Sequence, residues 1–152
     1  MTETYSTQIL KDEAATLHAA SILARQLKLG QVIYLHGDLG AGKTTLVRGI
    51  LHALGHVGKV KSPTYTIVES YPLAIGPCHH FDLYRFQDPE EWEAAGFRDD
   101  FNAESICLVE WPEKAGDLLP VADIEIHFDI LPEGRVLHIS SQQALALEAI
   151  CQ

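Results

Sequence analysis

Apolar and polar positions along the chain change rhythm several times, and each change marks an element. Asp12 reads as the N-cap of a helix running to about residue 28. Leu17, Ala20, Ile22 and Leu27 give that helix an apolar side, and Gly30 closes it. The unbroken run Val32-Ile33-Tyr34-Leu35 predicts a buried strand, and residues 45–54 return to helical spacing up to Gly55. Residues 66–71 and 78–83 predict two strands separated by a turn at Gly76-Pro77. Asp88-Pro89-Glu90-Glu91 opens a helix with a cap, a proline in the first turn and early acids. Ile106-Cys107-Leu108-Val109-Glu110 is apolar on both faces, the pattern of a parallel strand inside a sheet. Two further strands, Ile124–Ile130 and 135–139, flank the turn Leu131-Pro132-Glu133-Gly134 and predict a C-terminal hairpin. The expectation is an α/β sandwich around a central mixed sheet, one domain over residues 1–152, with ligand at the carboxyl ends of its parallel strands.

Composition narrows the class. The 152 residues suffice to bury a core, and no stretch approaches the roughly 20 apolar residues of a membrane span. The start Met-Thr-Glu-Thr-Tyr lacks the basic and apolar segments of a signal peptide, so a cytoplasmic location is expected. Cys78, Cys107 and Cys151 are odd in number and carry no Cys-x-x-Cys spacing, which fits reduced thiols. A net charge of −10 with scattered Lys and Arg argues against gripping a nucleic acid alone, although a basic protein partner would suit the chain.

The chemistry concentrates after the first buried strand. Gly37-Asp38-Leu39-Gly40-Ala41-Gly42-Lys43-Thr44 spells a complete phosphate-binding loop between strand and helix. Its glycines let successive backbone amides turn inward, and the helix N-terminus adds partial positive charge. Lys43 is placed to reach the β- and γ-phosphates, and the Thr44 hydroxyl to hold Mg²⁺. Such a site also needs a carboxylate at a neighbouring strand end. Glu110 ends the more apolar run and is the better Mg²⁺ residue, while Asp82 suits positioning water or a switch segment; a solvated strand-end carboxylate is the alternative for each.

Ser62-Pro63-Thr64-Tyr65-Thr66 follows the loop helix where a switch would offer a threonine to Mg²⁺, with a plain turn as the alternative. Arg85 is a candidate to neutralise charge on the γ-phosphate, although pairing with a surface carboxylate is the commoner fate. Cys78, His80 and Asp82 share a strand face by the period of two, but no fourth ligand completes a structural zinc site. Trp92 reads as core or partner contact, and Trp111 as a shield of the site or a partner contact.

Four segments together resemble the bacterial TsaE (YjeE) family: the phosphate loop through Thr45, Lys61-Ser62-Pro63-Thr64-Tyr65-Thr66, His80-Phe81-Asp82-Leu83-Tyr84-Arg85, and Glu110-Trp111-Pro112-Glu113. The resemblance spans roughly residues 10–135. It implies a compact P-loop sandwich that binds ATP or ADP with Mg²⁺ and hydrolyses ATP slowly alone. Thr44 and Glu110 would be the metal residues, with Thr45, Thr64 and Asp82 supporting nucleotide binding or hydrolysis. It further implies docking on a TsaB–TsaD assembly that modifies the adenosine beside the anticodon of tRNAs reading ANN codons. The base would lie between the N-terminal segment near Asp12 and the late turn near Gly134-Arg135.

Two other classes use the same loop. A small-molecule kinase needs an acceptor pocket and usually several clustered lid arginines, whereas Arg25, Arg48, Arg85, Arg98 and Arg135 are dispersed. A Ras-like switch reads guanine through Asn-Lys-x-Asp, and the sole asparagine, Asn102, precedes Ala103-Glu104-Ser105.

Overall fold

The computed structural model describes residues 4–61 and 66–142. All its strands join one seven-stranded sheet: β1 (Thr4–Leu10), β2 (Val32–His36), β3 (Val68–Pro72), β4 (Pro77–Asp82), β5 (Ile106–Glu110), β6 (Ile124–Ile130) and β7 (Arg135–Ser141), in spatial order β1-β7-β6-β2-β5-β4-β3. The middle four, β6-β2-β5-β4, run parallel. The hairpin strand β7 and then β1 extend one edge antiparallel, and β3 the other. β5 is buried at every position, as its unbroken apolar run requires of a strand covered on both faces.

The helices α1 (Glu13–Ala24) and α2 (Lys43–Ala53) pack together over one face of the sheet. On the other face, α3 (Pro89–Ala95) brings Trp92 down onto an aromatic cluster with Phe81, Phe97 and Phe101. Trp92 is thus a core residue, fully buried.

Three expectations change. First, α1 stops at Ala24 rather than near 28, because the chain turns back into β2 with the Gln31 side chain accepting the Lys28 amide at 2.8 Å. Its buried face is Thr16, Ala19, Ala20, Leu23 and Ala24, small residues around a single leucine instead of the larger apolar line read from the sequence. The cause is on α2: a Cβ on Gly49 would stand 2.6 Å from that of Ala20. Mid-helix glycine costs about 1 kcal/mol, and here it admits a close helix crossing. Second, β3 begins at Val68 because Ile67 adopts φ +68, a left-handed conformation that a β-branched residue rarely takes. Third, β1 was not expected. Its inward residues are the polar Gln8 and the terminal Leu10, while Tyr5 and Ile9 face solvent, so its alternation is nearly inverted. β1 pairs along the whole of β7, and the register Leu10↔Arg135 sets residues 10–12 beside the hairpin turn.

Candidate nucleotide site

The phosphate loop leaves β2 at Gly37 and enters α2 through Gly42, the N-cap, at φ +116. Among the described residues no side chain caps the first turn of α2, whose N-terminal amides can face an anion. Lys43 is 4% exposed, its ammonium donating to the Gly37 carbonyl and standing 3.7 Å from the centre of the Trp111 ring. Trp111 adopts φ +57, a left-handed conformation unusual for so bulky a residue, immediately after the end of β5. It therefore shields the site. Burial pushes the Lys43 ammonium below its ordinary range, against the pull of Glu110 and Asp82.

Glu110 is 3% exposed and closes the far side. The Thr44 hydroxyl lies 3.2 Å from both its oxygens, and His80 Nε2 donates to it at 2.6 Å. His80 is itself wholly buried, and its Nδ1 has no hydrogen-bond partner among the described residues. A carboxylate removed from water needs such donors, and a lone buried charge would cost several kcal/mol. From sequence His80 is weighed as a metal ligand with Cys78 and Asp82, whereas in the structure it supports Glu110. Its signal was present, since His80 and Asp82 alternate on β4, and Asp82 pairs in register with Glu110 on β5. Asp82 lines the same cleft and accepts the Tyr84 amide at 3.0 Å. Burial, with Glu110 adding to it, pushes the Asp82 carboxyl above the usual carboxylate range.

Leu39, Gly40, Ala41, Gly42, Lys43, Thr44, Thr45, Asp82, Glu110 and Trp111 line a cleft of about 320 Å³. A second cleft of about 280 Å³ shares Gly40, Ala41, Gly42 and Thr45, and adds Lys11, Asp12, Glu13, Thr16, Gly134 and Arg135. The Asp12 carboxylate accepts the Ala15 amide at 2.9 Å, so it caps α1 and shapes this cleft together. Gly134, at φ +81, lies so close to β1 that a Cβ would meet the Leu10 carbonyl at 2.5 Å. Arg135 donates from Nε to the Ala41 carbonyl at 3.0 Å and from a terminal nitrogen to the Gly40 carbonyl at 3.1 Å. The arginine that reaches the loop is therefore Arg135. Arg85 lines neither cleft.

Asp38 is exposed and lines neither cleft; its backbone carbonyl accepts the Ala41 amide at 3.1 Å. Thr64 lies outside the described residues, with most of the expected switch segment. Cys78, His80 and Asp82 form no ligand cluster among the described residues. Cys78 is sealed in the core, where burial raises its thiol to about 12, and Cys107 is likewise a free, buried thiol. No described helix is long and apolar enough to cross a membrane.

Four central parallel strands in a mixed sheet, a Gly-rich loop between strand and helix, a loop lysine and a buried strand-end carboxylate define a P-loop NTPase fold. Comparison with known proteins narrows the class further. Residues 10–136 match the model of the family described as "Threonylcarbamoyl adenosine biosynthesis protein TsaE", and the chain belongs to that family of tRNA-modification proteins. Among curated relatives, the Haemophilus influenzae tRNA threonylcarbamoyladenosine biosynthesis protein TsaE is 47% identical over 149 residues, covering 95% of this chain and 94% of the relative. The Rickettsia felis protein of the same name is 38% identical over 130 residues, covering 85% and 75%. A crystal structure of Bacillus subtilis YdiB superposes with a TM-score of 0.71 at 26% identity, covering 93% of this chain and 87% of that one.

Proposed function

We propose that this chain is an ATP-binding, Mg²⁺-dependent ATPase subunit of threonylcarbamoyladenosine synthesis on tRNA, working on a TsaB–TsaD assembly in the cytoplasm. The single observation that carries the nucleotide reading is the pairing of Thr44 and Glu110 across the uncapped start of α2. A hydroxyl and a buried carboxylate offering three oxygens suit a hard divalent cation. Thr44 and Glu110 would hold Mg²⁺, which when bound supplies charge to the β- and γ-phosphates.

The chain's own residues divide the remaining work. The loop amides and Lys43 hold the phosphates and withdraw charge from the γ-phosphoryl group as its bond to the leaving oxygen weakens. Lys43 would exchange its contacts with Gly37 and Trp111 for phosphate oxygens, leaving the indole to exclude water. His80 keeps the Glu110 carboxylate aimed. Asp82, a half-buried carboxyl in the same cleft, would take a hydrogen bond from the attacking water. The adenine end falls to the cleft between Asp12 and Gly134–Arg135, and Thr64 belongs to the switch segment. With a net charge of −10, the chain is expected to reach tRNA through its partners and not by direct capture.

Steady-state hydrolysis with and without TsaB–TsaD tests this reading. Glu110→Gln and Lys43→Ala should each lower kcat by about 10²–10³-fold, and the partner complex should change the wild-type rate. Unchanged turnover in both variants, or phosphoryl transfer to a small metabolite in place of water, would overturn it in favour of a structural module or a kinase.

A further inference from the structure

The face of the sheet opposite α1 and α2 carries a second concentration of chemistry that the nucleotide site does not use. On β2, Ile33 and Leu35 point into the helix-covered core, so Tyr34 and His36 occupy the other face; on β6, Ile126 alternates in the same way with Glu125 and His127. The parallel register sets His36 directly beside His127, with Glu125 two residues earlier on the same strand. His36 Nε2 lies 3.0 Å from Glu125 Oε1, and the two imidazoles stack with centroids 4.2 Å apart and planes 7° from parallel. One ligand atom from each of the three residues lies within 4.8 Å of the other two.

We propose that His36, Glu125 and His127 form a binding site for a zinc-class divalent ion, with water completing the coordination. Two imidazole nitrogens and one carboxylate oxygen are a zinc donor set and a poor one for Mg²⁺ or Ca²⁺, which want oxygen alone. The site is therefore chemically distinct from the Thr44–Glu110 pair. Around a tetrahedral Zn²⁺ with bonds near 2.0–2.1 Å, donor atoms stand about 3.3 Å apart. His36 and Glu125 already approach that spacing. His127 is exposed and closes the rest by turning its ring out of the stack, with no movement of the sheet. His138, the register partner of His127 on β7, is engaged with Asp129 at 2.9 Å and Thr7 at 3.1 Å, so the remaining positions stay open to exchangeable ligands. An ion held here would tie β2 to β6 at the residue before the phosphate loop.

Tag-free full-length protein, stripped of metal and titrated with Zn²⁺ in excess Mg²⁺, tests the proposal. The expected result is one Zn²⁺ per chain at micromolar affinity or tighter. His36→Gln and His127→Gln should each weaken it at least tenfold, and Glu110→Gln should leave it unchanged. X-ray absorption should show imidazole nitrogen and oxygen around the zinc and no sulfur. Zn²⁺ should also raise the melting temperature of the wild type and not of His127→Gln, whose exposed position keeps the fold intact should His36→Gln fail to fold. Affinity unchanged in His127→Gln, sulfur in the coordination shell, or occupancy only at millimolar zinc would each overturn it.

Discussion

The two ends of the proposed nucleotide site, one in each of the adjoining clefts, are built by opposite means. The phosphate end is made of side chains crowded into little space: Lys43, Glu110 and His80 are all nearly or wholly buried, and Asp82 stands beside them. The base end is made of backbone. There the hairpin turn comes so near β1 that Gly134 has no room for a side chain, and Arg135 reaches back to the carbonyls of Gly40 and Ala41. The first arrangement can place and balance charge, with burial raising the Asp82 carboxyl and lowering the Lys43 ammonium. The second sets a shape, and depends on two distant segments being held in register. Damage at the phosphate end should therefore appear in turnover, and damage at the base end in nucleotide affinity.

His80→Ala is the sharpest way to probe the first half of that contrast. It removes the 2.6 Å donor and leaves Glu110 buried, with the Thr44 hydroxyl as its one remaining side-chain donor among the described residues. Loss of a group that orients a metal ligand costs about 10–100-fold in metal affinity or activity, so the Mg²⁺ dependence of hydrolysis should shift upward by that factor. An orphaned buried partner also costs about 1–3 kcal/mol of stability. His80→Gln, which retains a donor, should recover part of both. A Mg²⁺ titration of hydrolysis separates the two effects, and an unchanged Mg²⁺ requirement would show that His80 only fills space.

Gly134→Ala probes the other half with a smaller effect. The added Cβ meets the Leu10 carbonyl at 2.5 Å, and φ +81 is unfavourable for any side chain. A strained position of this kind costs about 1–3 kcal/mol, part of it relieved by shifting the turn away from β1. The expected outcome is a several-fold rise in KM for ATP with kcat little altered. Should kcat fall while KM holds, the two ends are coupled and the contrast fails.

The same contrast explains what the sequence made legible. Phosphate chemistry needs particular side chains at particular offsets, so Lys43, Thr44, Asp82 and Glu110 stand out as residue types at strand ends. The central parallel strands were legible for a similar reason, since burial on both faces leaves an unbroken apolar run. The proposed base end is set by close backbone approach at Gly134, which leaves almost no mark in residue type. Its organising strand, β1, was missed because an edge strand with Gln8 inward and Tyr5 and Ile9 outward breaks the expected alternation. The small-residue face of α1 was misread because its partner is Gly49, a position that helix propensity alone would disfavour. His80 was legible as a possible metal ligand but not as the support of Glu110, which depends on the β4–β5 register.

Asp82→Asn gives the smallest effect and tests whether the phosphate end is under electrostatic tension before ligand arrives. Burial raises the Asp82 carboxyl above the unfolded value of about 3.9, so the folded chain binds more protons than the unfolded chain just above that pH. Stability must then fall as pH rises from about 4 through the raised value, and the deficit persists at neutral pH, where both states are ionised. An amide of the same shape removes the deficit. The nucleotide-free variant should therefore melt higher than wild type at pH 7, on a scale where about 1 kcal/mol moves Tm by roughly 2–4 °C. Its stability should also vary less between pH 4 and 7, and its hydrolysis should be slower. Scanning calorimetry at several pH values reads the first two and a turnover assay the third. A variant that melts lower than wild type would mean that the Tyr84 amide, His80 and Lys43 already compensate the Asp82 charge, and that the crowding at this end carries no cost in the free protein.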